Sequence, residues 1–124
     1  MLRLFLAVTP AALLLSVSIF VLMTVNGFAC DRVTIASYYG TESGSRTATG
    51  EHFDGSGLTA AMPSRSHLGE RWRVTYAGKT VTVRINDLGP AAWTHRGIDL
   101  SHAAARVIGL THAGTGRVCL ERLG

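Results

Sequence analysis

The sequence predicts one small, mainly β domain, closed into a barrel with a short helix and preceded by an apolar N-terminal segment. Three features point there. Apolar and polar residues alternate in short runs, as in 80–86, where Val81, Val83 and Ile85 share one face and Thr80, Thr82 and Arg84 the other. Glycine is abundant, 14 in 124 residues against 3 prolines, and it falls between those runs, as turns between strands require. Only one stretch has helical spacing, and a chain of this length encloses one core rather than two large ones. With 47% hydrophobic and 16% charged residues, disorder is excluded.

Residues 4–25 are almost wholly Leu, Val, Ala, Phe, Met, Ser and Thr, with Arg3 before them and the small residues Gly27 and Ala29 after. This is the layout of a secretory signal peptide over residues 1–29, cleaved before Cys30. The apolar run is also long enough for an uncleaved membrane anchor. Either way residues 30–124 form an exported domain, in the periplasm or cell envelope, and meet a membrane only through an uncleaved or lipidated N-terminus. Arg3 is the only charged residue of 1–29, so the net charge falls from +4 to +3 without it. A mild positive balance suits an anionic wall polymer, and no basic run interleaved with aromatics points to nucleic acid.

Within the exported part, 33–39 reads as the first strand, with Val33 and Ile35 on its core face and Cys30 on the other. A Gly/Ser/Thr-rich connection over 40–57 leads to a short strand at 58–61. Residues 71–76 and 80–86 flank a tight turn at Ala77 and Gly78, the pattern of a hairpin. Ser101 offers a helix N-cap, Ala104, Val107 and Ile108 make an apolar stripe, and Gly109 ends the helix. The closing strand is 117–123, with Val118 and Leu120 inward and Cys119 outward beside Arg117 and Glu121. Cys30 and Cys119 then meet across neighbouring terminal strands as a disulfide. Lipidation of Cys30, which has Gly27 three residues before it, and two free thiols are the other readings.

The five histidines form no HExxH, and the two cysteines lack metal-binding spacing, so neither a metal site nor a cofactor is expected. No serine sits in a GxSxG elbow. Carboxylates remain: Glu51 in Thr-Gly-Glu-His-Phe-Asp, Asp87 in Arg-Ile-Asn-Asp-Leu-Gly-Pro, and Asp99 in Arg-Gly-Ile-Asp-Leu-Ser. Each also has a structural reading. Asn86-Asp87 and Gly89-Pro90 are turn formers, and Asp99 precedes the helix, where an acid favours the dipole. In an exported basic domain, an acid at a strand mouth whose pKa burial raises points instead to glycan cleavage, which needs no cofactor.

Five ordered blocks resemble the rare lipoprotein A family: Ala36-Ser37-Tyr38-Tyr39-Gly40, Thr47-Ala48-Thr49-Gly50-Glu51-His52-Phe53-Asp54, Leu58-Thr59-Ala60-Ala61, Val83 to Pro90, and Ile98-Asp99-Leu100-Ser101. The resemblance implies a six-stranded double-psi β-barrel with one or two short helices, and an endolytic lytic transglycosylase acting as a monomer on peptidoglycan glycan strands, preferably those stripped of stem peptides. It places the acid/base group on Asp87 and a second catalytic carboxylate, binding sugar or stabilising positive charge, on Glu51. Asp99, Tyr39, Arg84, Asn86 and Met62 are its candidate substrate contacts. Three positions depart from the family pattern: Met62 stands where a His is usual, Ser66-His67-Leu68-Gly69 replaces Leu-Pro-Phe-Gly, and Leu88 replaces Arg. The Met62 change supports the alternative, a non-catalytic polysaccharide-binding module of expansin type. Relatives often add a C-terminal peptidoglycan-binding repeat domain after the barrel, which does not follow here, so recruitment to the division site is not expected.

Overall fold

The computed structural model describes residues 30–124; the signal peptide or anchor expected over 1–29 lies outside the described residues. Six strands are present: β1 (Arg32–Tyr39), β2 (Thr59–Met62), β3 (Arg71–Tyr76), β4 (Lys79–Leu88), β5 (Arg96–Ser101) and β6 (Gly116–Arg122). They close in the order β1-β5-β2-β4-β3-β6, so every strand has two partners and no edge is left open. The β1–β5 and β2–β4 pairs are parallel and the other four antiparallel, giving the double-psi barrel. One short helix, α1 (His102–Val107), follows β5 directly.

Inward side chains fill the barrel. Val74, Val83, Ile85, Ile98, Leu100, Val118 and Leu120 are buried together, and Ala104, Ala105 and Ile108 pack α1 against them. The β3–β4 hairpin turns at Ala77 and Gly78, both with positive φ, as a two-residue turn matched to strand twist requires. Ser101 caps α1 by accepting from the Ala104 N–H, and Gly109 leaves the helix in the left-handed region. Val107, expected on the inward stripe, is 51% exposed instead. The buried face runs through 104, 105 and 108, which leaves 107 outside it.

Three further expectations are corrected. In β1 the phase is inverted: Val33 is 59% exposed, whereas Ala36 is buried in the core with Tyr38 packed against it. Val33 lies opposite Cys119, and cross-strand partners share a face; since Val118 and Leu120 point inward, both Cys119 and Val33 must point out. The Cys30–Cys119 disulfide does form, reached from the residues before β1 rather than from within it. Secondly, β4 runs through Asn86 and Asp87, so these residues are strand and not turn. Finally, Asp99 belongs to β5, a strand the residue pattern did not signal, and not to a pre-helix loop.

Candidate active site

The registers line up one residue from each of four strands. Ser37 of β1 is opposite Asp99 of β5, Asp99 is opposite Ala61 of β2, and Ala61 is opposite Asp87 of β4. Ala60 and Met62 are fully buried in the core, so the strand alternation turns Ala61, and the row with it, to the outer surface of the barrel. Two carboxylates therefore flank one methyl group. At ordinary strand spacing their backbones are about 10 Å apart. Tyr39 and Phe53 pack with Ala61 as a small separate apolar cluster, their rings stacked at 4.8 Å. Phe53 is brought there by the 40–57 connection, through its N–H to the Ser45 carbonyl.

The two acids have different surroundings. Asp87 accepts three hydrogen bonds: Tyr39 Oη at 3.1 Å on Oδ2, and the N–H groups of Ala48 (3.0 Å) and Leu88 (2.9 Å) on Oδ1. Burial, and then the charge of Asp87, push the Tyr39 hydroxyl well above its ordinary range, so it remains a donor. Asp99 accepts from Ser37 Oγ at 2.8 Å, and Arg96 Nη1 donates to that same oxygen at 2.5 Å. Burial pushes the Asp99 carboxyl upward; the Ser37 bond and Arg96 pull the other way, and the Glu42 and Asp87 charges add to the rise.

Glu51 is a third kind of carboxylate. Arg84 grips it through both guanidinium nitrogens, Nη1 at 2.5 Å and Nη2 at 2.6 Å, and Thr49 donates a further bond. The Arg84 bonds hold it at about 2, so it is charged throughout the working range and is no proton donor. Asn86, only 2% exposed, lies beside Glu51 in the wall and adds a smaller downward pull on its carboxyl. Glu51, Arg84 and Asn86, with Phe53, Gly57 and Thr59, line a depression of about 260 Å³.

Of the expected contacts, Tyr39, Asp87 and Asp99 come together, with Glu51, Arg84 and Asn86 alongside. Met62 does not join them. Its side chain is fully buried among core residues, because it follows Ala61 by one position on β2 and takes the opposite face. His67, in the departing segment, faces Glu70 (2.9 Å) and packs perpendicular to the Trp72 ring instead of joining the carboxylates. Residue-by-residue reasoning missed Ser37, Arg96 and Phe53. All three lie within the quoted segments, yet only the register shows that they share a face. Among the described residues, no group of three or more His, Cys, Asp or Glu is placed to hold a metal ion.

A closed barrel of this topology, with carboxylates on its outer wall, defines a double-psi β-barrel protein. A family model described as lytic transglycolase matches residues 32–120. The chain belongs to the RlpA-like double-psi β-barrel family. It is 46% identical over 95 residues to the endolytic peptidoglycan transglycosylase RlpA of Pseudomonas aeruginosa, covering 72% of this chain and 26% of that one. The Neisseria meningitidis endolytic peptidoglycan transglycosylase RlpA is 40% identical over 92 residues, covering 71% and 37%. The chain thus spans roughly a quarter to two fifths of these curated relatives. Among solved structures, the Streptomyces papain inhibitor superposes with a TM-score of 0.62 at 20% identity, covering 79% of this chain and all of that one. A Clavibacter michiganensis expansin gives 0.59 at 20% identity, over 75% and 51%. At that identity the likeness is one of fold.

Proposed function

We propose that the domain is an endolytic lytic transglycosylase of peptidoglycan, cleaving between N-acetylmuramic acid and N-acetylglucosamine. The observation that carries this reading is the pair Asp87 and Asp99, set on either side of Ala61 with different hydrogen-bond partners. Asp99, its carboxyl raised by burial, donates a proton to the departing glycosidic oxygen. Asp87, aligned by three donors, accepts the proton of the muramyl C6 hydroxyl as that oxygen attacks the anomeric carbon. The bond to the leaving sugar breaks as the 1,6-anhydro ring closes, and no water has to be held between the carboxylates. Glu51, fixed as an anion on Arg84, binds sugar at the rim and faces the positive charge that develops on the ring.

In this reading residues 1–29 are the export signal and residues 30–124 act as a monomer in the periplasm or cell envelope, with peptidoglycan strands as the partner. Met62 lies in the core and does not itself contact glycan. The test is mass spectrometry of peptide-free glycan strands incubated with residues 30–124. Products ending in 1,6-anhydromuramic acid are expected, and none with Asp87→Asn; intact strands with both proteins would refute the activity.

A further inference from the structure

The hydrogen bonds behind Asp99 have a direction. Arg96 is a donor only, so its guanidinium occupies the Ser37 hydroxyl as an acceptor. Ser37 is 3% exposed, and the sole acceptor its own proton reaches among the described residues is Asp99 Oδ1. Were the Asp99 proton to sit on Oδ1, the Ser37 proton would be turned away and left buried without an acceptor, a costly arrangement. Oδ2 takes no hydrogen bond from any described residue.

We infer that Arg96 and Ser37 form a one-way relay that fixes the proton of neutral Asp99 on Oδ2, making both of them positioning residues for proton donation from that oxygen. This rests on the proposed role of Asp99 as the acid. The relay is built from two strands. Ser37 comes from β1, opposite Asp99 in register, and Arg96 comes from the first position of β5, three residues before Asp99. The other titratable groups around Asp99 are Tyr39 on β1, Glu42 in the turn after it, and Asp87 on β4; β2 contributes only Ala61. None of these donates to Oδ1, so the direction is set by Arg96 and Ser37 alone. A relay of this kind keeps the acid oriented in both states. It donates to Oδ1 when Asp99 is charged and holds the carboxyl plane when Asp99 is neutral.

The test is a carbon-13 NMR titration of the Asp99 carboxyl in residues 30–124, for the wild type, Ser37→Ala, Ser37→Thr and Arg96→Gln. Losing the Ser37 donor removes a bond to the charged form. The midpoint is therefore expected to rise by about one pH unit in Ser37→Ala, to rise as well in Arg96→Gln, and to return towards wild type in Ser37→Thr. On glycan strands, Ser37→Ala is expected to lower the pH-independent kcat, taken from the full pH profile, at least tenfold, with little change in KM. An Asp99 midpoint unmoved in both Ser37→Ala and Arg96→Gln, with the amide spectrum native, overturns the relay. Absent cleavage by the wild type, with the midpoints moving as stated, overturns the catalytic reading and leaves the relay standing.

Discussion

Asp99 and Glu51 are both candidate site carboxylates, and their nearest neighbours push them in opposite directions. Burial raises Asp99, whereas the two-pronged Arg84 bond holds Glu51 at about 2. A group whose folded pKa is depressed stabilises the fold above its unfolded value and loses that contribution as pH falls towards the folded one. Arg84→Gln is therefore expected to lower stability at pH 6 by up to about 1 kcal/mol, the scale of a partly exposed pair. The deficit should shrink between pH 4.5 and 2, as followed by thermal unfolding of both proteins; a deficit constant across that window would show that the pair is not its source. Asp87, Glu51 and Asp99 were legible in the sequence as the candidate carboxylates. Their different surroundings were not, because these depend on Ser37, Arg96, Tyr39 and Arg84, which reach these acids only through strand register.

At the scale of elements, β5 is the strand the sequence concealed. Arg-Gly-Ile-Asp-Leu-Ser contains Gly97 and Asp99, both poor strand formers, and residues 97, 98, 100 and 101 are all buried, so there is no alternation to read. Gly97 is required there by close approach. A Cβ at this position would meet Thr34 Oγ1, and would lie 2.8 Å from both Thr34 Cγ2 and Arg32 Nη2, at the point where the β1–β5 register shifts. Gly97→Ala is expected to cost about 1–3 kcal/mol by overcrowding, measured by denaturant unfolding. A cost under a few tenths of a kcal/mol would show that β1 yields without strain. The hairpin and α1, by contrast, were readable because their signals are local: positive-φ turn residues in one case, an N-cap and a terminal glycine in the other.

For the molecule as a whole, closure decides what the cleft contains. The row Ser37, Asp99, Ala61 and Asp87 draws on β1, β5, β2 and β4, so no contiguous motif could announce it. The β1–β6 pairing closes the barrel, and the Cys30–Cys119 disulfide ties the same ends over 89 residues, a loop long enough to stabilise the fold by about 4–5 kcal/mol in the chain-entropy view. The candidate site thus sits on a rigid wall, and the proposed chemistry gives its two carboxylates separate tasks. The most direct test compares Asp99→Asn and Asp87→Asn on glycan strands and on an aryl β-glycoside of N-acetylmuramic acid, whose leaving group departs without a proton. The prediction is that Asp99→Asn loses strand cleavage but keeps most aryl glycoside cleavage, while Asp87→Asn loses both. Equal loss on the two substrates in Asp99→Asn, or undiminished strand cleavage by it, would contradict the assignment of Asp99 as the acid.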